Sequence, residues 1–401
     1  VGRAGKASLA AGYDVDSRFD RPVCDGGVLT IPNKQAIAVQ DATVIAERPL
    51  RPSRVASIEV CRGVAAIMVL TYHSGVILGA PANFAFSPFG QFFHFGRSGV
   101  DFFFVLSGFL ISLLHWRDIG KPDQLKRYAV RRLTRIYPTY WLVLLPIIPI
   151  DVFTHTLFDD YSKPLEVLKS ILLLPQDHTI LDVTWSLRNE LLFYLLFGLM
   201  IFSRRAGIII VGVWIIALVA RPFAIDSLPD AWLNLPTYPM NIEFLAGVAA
   251  GWAYPRIHIA RPALLLGFGL AMFAGLWFAE DRLWLLRLSW GRFFLVCVAY
   301  GVAASAVILS LSTLETDRRI RMPGALVTLG GASYLLYLIH VPALLVLGAS
   351  ERVLHLSQFL PTWSLAAAFI VITIVVAMIA HQWIEKPLLR VVRHRAETAT
   401  P

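Results

Sequence analysis

The sequence predicts an all-α protein embedded in a bilayer, an integral membrane bundle of about ten transmembrane helices with both termini cytoplasmic. Three observations carry this expectation. Of the 401 residues, 57% are hydrophobic and only 16% are charged, at a mean hydropathy of +0.63, too apolar a chain to hide in one water-soluble core. The apolar residues gather in runs of about 20, the length an α-helix needs to cross about 30 Å of hydrocarbon. The formal net charge of +9 sits in short basic clusters between these runs. Such clusters mark the cytoplasmic ends of membrane helices and argue against a nucleic-acid-binding face.

Taken in order, residues 1–53 carry Gly, Asp, Arg and Pro, with no long apolar run and no hydrophobic stretch ending in a small-residue cleavage site. They predict a disordered cytoplasmic tail rather than a signal peptide. Residues 54–390 predict a membrane domain with spans at 58–78, 98–116, 139–158, 188–203, 206–221, 237–254, 262–280, 291–313, 325–349 and 362–384. The apolar stretch 167–174 is too brief to cross a bilayer and predicts a re-entrant or interfacial segment. Residues 391–401 predict a short basic cytoplasmic tail. Cys24, Cys61 and Cys297 lie far apart, so neither a disulfide framework nor a metal site is predicted.

Orientation follows from Lys and Arg, which are retained on the cytoplasmic side during insertion. The link before the third span holds Arg117, Lys121, Lys126, Arg127, Arg131, Arg132 and Arg135, whereas the link at 80–96 holds no Lys or Arg. Arg204 and Arg205, Arg256 and Arg261, then Arg318, Arg319 and Arg321, and last Lys386, Arg390, Arg393 and Arg395 fall on the same side if the spans number ten. Arg282, Arg287 and Arg292 break the pattern, offset in part by Glu280 and Asp281.

Ionisable groups are costly at bilayer depth, so each one inside a span is a functional candidate. Arg62 and His73 lie eleven residues apart in the first span, which is three turns plus about 20° and about 16 Å along the axis, so both share a helix face. An imidazole, with an ordinary pKa of about 6.5, can take a proton from a hydroxyl at neutral pH. The plainer reading has Arg62 reaching to headgroups and His73 bonding across helices. Further candidates are Asp101, Glu190 with Tyr194 one turn on, Glu243, and Tyr334, Tyr337 and His340. Interhelical hydrogen bonding would account for any one of them, but less easily for several carboxylates at depth. Topology explains the charge of Arg131, Arg132 and Arg135 but not the preference for arginine, whose fork suits bidentate phosphate contacts.

Several motifs then carry a resemblance. Arg62 and His73 are followed by GRSGVDFFFVLSGFLI at 96–111, which includes Asp101 and Ser107. RRLTRIYPTYW follows at 131–141, TWSLRNELLFYL at 184–195, GGASYLLYLIH at 330–340 and Glu385-Lys386-Pro387 near the end. In this order, over about residues 54–390, the chain resembles acyltransferase family 3, the integral membrane acyltransferases that decorate bacterial polysaccharides, lipopolysaccharides, peptidoglycan and some antibiotics. A narrower similarity is to exopolysaccharide-modifying acetyltransferases. The resemblance implies a multi-pass protein of the bacterial cytoplasmic (inner) membrane. It would take an acyl group, usually acetyl, from cytoplasmic acyl-coenzyme A and deliver it to a glycan or glycolipid hydroxyl. It also implies that His73 is the catalytic base, that Arg62 is its essential partner, and that Arg132 and Arg135 bind the donor. Direct attack on the thioester and a covalent relay through serine or tyrosine both remain open chemistries. The competing class is a transporter or flippase for a glycolipid or small anion, although no internal repeat of the transporter kind is visible.

Overall fold

The computed structural model describes residues 55–80, 92–154, 164–176, 179–224, 231–282 and 289–398. The predicted tail 1–53, Cys24 and Arg287 lie outside them. Among the described residues the chain is helical throughout, with no strand: α1 Ala56–Leu78, α2 Gly99–His115, α3 Leu125–Thr154, α4 Pro164–Leu172, α5 Trp185–Phe202, α6 Arg204–Ala224, α7 Ala231–Thr237, α8 Asn241–Ala253, α9 Pro262–Arg282, α10 Trp290–Thr316, α11 Gly324–Leu354, α12 Thr362–Ala380 and α13 Lys386–Thr398. Nine helices among the described residues are long and apolar enough to cross a membrane.

The sixth of the ten expected spans, 237–254, is the exception. It forms only the 13-residue helix α8, which at 1.5 Å per residue reaches about 20 Å and falls short of the hydrocarbon thickness. What holds α8 is close packing inside the bundle against α2 and α10. A Cβ on Gly247 would lie 2.1 Å from the Val105 carbonyl oxygen, and one on Gly108 would lie 2.1 Å from that of Phe244. Only glycine permits this backbone approach, the small-residue packing that brings membrane helices together. Phe244 then stacks between Phe104 and Phe193, at ring separations of 4.4 and 4.7 Å.

A second close approach pairs α1 with α11, where a Cβ on Gly330 would fall 1.9 Å from the Glu59 carbonyl oxygen. This contact sets the Glu59–Arg62 turn beside the Tyr334 turn. It gives the glycines that open the GGASY motif a packing reason.

α3 begins fourteen residues earlier than the predicted span, at Leu125 instead of 139, so the basic link from Lys126 to Arg135 is itself helix. Pro138, Pro146 and Pro149 lie inside this helix, and side-chain bonds compensate around the first of them. The Tyr334 hydroxyl donates to the Ile136 carbonyl at 3.0 Å. Thr139 donates to Glu385 at 2.8 Å, and the other oxygen of that carboxylate pairs with His381 at 2.5 Å. The predicted short segment is α4, whose last carbonyls have no helical partner of their own. Tyr137, Tyr140 and Trp141 of α3 donate to the Leu172, Ser170 and Ile171 carbonyls at 2.9, 2.5 and 3.0 Å. The aromatic residues of the RRLTRIYPTYW motif thus serve to dock α4.

Candidate functional site

A narrow cavity runs between α1, α2, α3, α5 and α11. Its charged wall comes from three helices. α1 contributes Arg62, whose Nη1 lies 3.2 Å from Glu59 one turn back. α3 contributes Arg132 and Arg135, which share its inner face through i, i+3 spacing. Arg131, the third arginine expected at a donor site, is exposed and does not line the cavity, because a step of 100° turns it outward.

Arg132 is 6% exposed. Its guanidinium carbon lies 5.9 Å from the Tyr128 ring centroid and 5.3 Å from that of Tyr194. Its Nε–H is buried and has no protein acceptor. A buried charged donor left unpaired is costly, so the position suits an anionic group entering the cavity.

α5 supplies the polar wall. Ser186, Glu190 and Tyr194 repeat at i, i+4 and i+8 on one face. The Glu190 Oε1 accepts from the Ser107 hydroxyl at 2.9 Å and from the Tyr194 hydroxyl, which leaves Glu190 as the carboxylate lining the cavity among three arginines. Ser186 was not singled out in the sequence, although its i−4 spacing from Glu190 marks it. Its hydroxyl lies 2.7 Å from that of Tyr337, which also donates to the Val183 carbonyl at 3.0 Å.

His73 does not line this cavity. It lies about 16 Å further along α1 than Arg62 and meets His340 of α11. The His73 Nδ1 is 3.0 Å from the Val69 carbonyl oxygen and 3.2 Å from the His340 Nε2. A carbonyl only accepts, so the proton is on Nδ1 of His73 and Nε2 carries the free lone pair. The His340 Nε2 then stands as an acceptor toward that Nδ1–H. Tyr337 joins the two regions, since it lines the cavity and its ring is 5.7 Å from that of His340.

Asp101 and Glu243 fall elsewhere. With Cys297 they form a buried group on α2, α8 and α10 whose potential ligand atoms lie within 4.8 Å of one another. None of the three lines the arginine cavity. Nothing in the spacing of 101, 243 and 297 foretells the cluster.

Residues 55–382 match a family described as an acyltransferase domain. The chain is 30% identical over 328 residues to the exopolysaccharide production protein ExoZ of Rhizobium meliloti (strain 1021), covering 77% of this chain and 95% of that relative. It is also 34% identical over 114 residues to the peptidoglycan O-acetyltransferase OatA of Listeria monocytogenes serovar 1/2a, covering 27% of this chain and 16% of that protein. No solved structure matches the chain.

Proposed function

This chain belongs to acyltransferase family 3, and on that premise we propose that it moves an acyl group, acetyl, from cytoplasmic acyl-coenzyme A to a hydroxyl of an exported or envelope glycan. As a multi-pass membrane acyltransferase it would work in the bacterial inner membrane. The names of its relatives favour a glycan acceptor, since one takes part in exopolysaccharide production and the other acetylates peptidoglycan.

One observation supports the mechanism: Tyr337, which lines the arginine cavity, has its ring 5.7 Å from that of His340, the partner of His73. Arg62, Arg132 and Arg135 offer guanidinium groups to the phosphates of the donor, and the buried, unpaired Arg132 Nε–H supports that assignment. The thin arm of the donor then runs past Tyr337, so the thioester comes to rest beside His73. This reading places Arg62 with the donor phosphates, too far along α1 to stabilise charge at a carbonyl held by His73.

At the thioester, the His73 Nε2 takes the proton of the acceptor hydroxyl as the acceptor oxygen attacks the carbonyl carbon. The tetrahedral intermediate collapses and the carbon–sulfur bond breaks. The leaving thiolate recovers the proton from His73. The Nδ1–H of the imidazolium, held between the Val69 carbonyl and the His340 Nε2, steadies the charge that forms, as the third group of a catalytic triad does.

The experiment is deletion of the gene, with mass spectrometry of the surface and secreted glycans. Loss of O-acyl groups that the intact gene restores and a His73→Ala copy does not is the expected result. Unchanged acylation in the deletion strain would overturn the proposal, and restoration by His73→Ala would remove the proposed base.

A further inference from the structure

Beside the arginine cavity, on the other side of α5, lies a second groove. Gln176, Trp185, Arg188, Asn189, Asn234 and Tyr238 line it. It sits at the same end of the bundle as the C-terminus of α1, the end nearer to His73. It also shares walls with the cavity. Trp185 and Asn189 face the groove while their neighbours Ser186 and Glu190 face the cavity. The Trp185 ring lies 6.0 Å from Phe104 of the cavity wall and 5.7 Å from Tyr238 of the groove.

The chemistry of this groove is unlike that of the cavity. Asn189 is 4% exposed and Gln176 is 6% exposed, and each has committed its amide nitrogen. Asn189 donates to the Trp185 carbonyl at 2.9 Å, and Gln176 donates to the Ser170 hydroxyl at 2.7 Å. The Asn189 Oδ1 and the Gln176 Oε1 are buried with no protein hydrogen-bond partner. Two amide oxygens with unused acceptor capacity beside an open groove leave room for donors from a ligand or from water. Hydroxyl groups supply such donors. The flanking Trp185 and Tyr238 rings offer flat faces for the carbon–hydrogen face of a sugar ring. Among the described lining residues there is no carboxylate, and Arg188 is the cation. A lipid tail would leave both oxygens unsatisfied.

We propose that this groove is the acceptor subsite, in which a saccharide lies on Trp185 and Tyr238, gives hydroxyl hydrogen bonds to the Asn189 Oδ1 and the Gln176 Oε1, and presents a neighbouring hydroxyl toward His73. The inference rests on the glycan-transfer reading above. It adds a division of labour across α5, with the donor held on the Ser186–Glu190–Tyr194 face and the acceptor on the Trp185–Asn189 side.

The test uses the full chain in nanodiscs, with acetyl-coenzyme A as donor and, as acceptor, polysaccharide from the source strain freed of O-acyl groups by mild alkali. Trp185→Ala and Gln176→Ala should each raise the KM for polysaccharide about tenfold while moving the KM for acetyl-coenzyme A less than about twofold. Trp185→Phe, which keeps an aromatic face, should recover most of the loss. Tryptophan fluorescence should change on adding the deacylated polysaccharide to the wild type, and less so in Gln176→Ala. Folding is checked by size-exclusion profile and melting temperature. If Trp185→Ala is unstable, Gln176→Ala carries the test.

An unchanged acceptor KM in well-folded variants overturns the subsite, as does an equal rise in both KM values. A wild-type chain that acylates no polysaccharide yet releases thiol from acetyl-coenzyme A with another acceptor overturns the glycan-transfer reading, and the subsite falls with it.

Discussion

The His340 Nε2 lies 3.2 Å from the His73 Nδ1, which also approaches the Val69 carbonyl oxygen to 3.0 Å. The carbonyl places the proton on Nδ1, so two helices far apart in sequence together fix the tautomer of one imidazole. A general base contributes about 10²- to 10⁴-fold. His73→Ala should therefore lower kcat by at least about a hundredfold, with normal expression and membrane insertion. His340→Ala should lower kcat by about tenfold, the equivalent of one hydrogen bond of about 1–1.5 kcal/mol, and leave the KM for the donor unchanged. Steady-state kinetics on both variants check this, and a His340→Ala enzyme with full kcat would show that the pair does not act in catalysis.

The three neighbouring arginines of α3 should behave differently. Arg132→Ala and Arg135→Ala each remove a charged donor worth about 1.5–3 kcal/mol, and should raise the KM for acetyl-coenzyme A about ten- to a hundredfold. Arg132→Lys should recover only part, because an ammonium lacks the planar fork. Exposed Arg131→Ala should change donor KM less than about twofold. Equal effects at all three positions would argue for a general electrostatic role.

Glu190 receives the Ser107 and Tyr194 hydroxyls on one oxygen. Glu190→Ala would leave both hydroxyls without that acceptor and should cost about 1–3 kcal/mol, visible as a lower melting temperature in detergent. A variant as stable as the wild type would mean that the hydroxyls find other acceptors at little cost.

Glycine substitutions separate close packing from simple helix propensity. Gly247→Val would press a side chain into the Val105 carbonyl, 2.1 Å from its Cβ position, and should destabilise by about 1–3 kcal/mol or more. Gly212 of α6 has nothing within 4 Å of its Cβ position. Gly212→Ala should be neutral or stabilise by about 0.5–1 kcal/mol. Thermal unfolding of both in the same detergent provides the comparison.

Much of the bundle was legible in the sequence. The helix boundaries around Ala56–Leu78, Gly99–His115 and Pro262–Arg282 follow the apolar runs closely, because lipid demands length and hydropathy from each helix separately. Glu190 and Tyr194, placed on one face by their spacing, do meet over a shared oxygen. The basic link was harder to read. Pro138 looked like the start of a span, yet the helix runs on from Leu125 through it, held by partners from α11 and from Glu385 that lie about two hundred residues away or more.

Local chemistry therefore settles the solvent, the approximate spans and the common face of Arg62 and His73, since hydropathy and the 3.6-residue period act within a single helix. Which arginines turn inward is a different matter. Adjacent helical residues point 100° apart, and the inward face is chosen by contacts from other helices. The same holds for the short α8, which lies within the bundle because Gly247 meets the backbone of α2. It holds for Asp101, Glu243 and Cys297, which come together away from the cavity, and for His340, which reaches His73 only once Gly330 lets α11 close on α1. These are decisions of packing between distant segments, where a single methyl group alters the fit, and no periodicity within one segment encodes them.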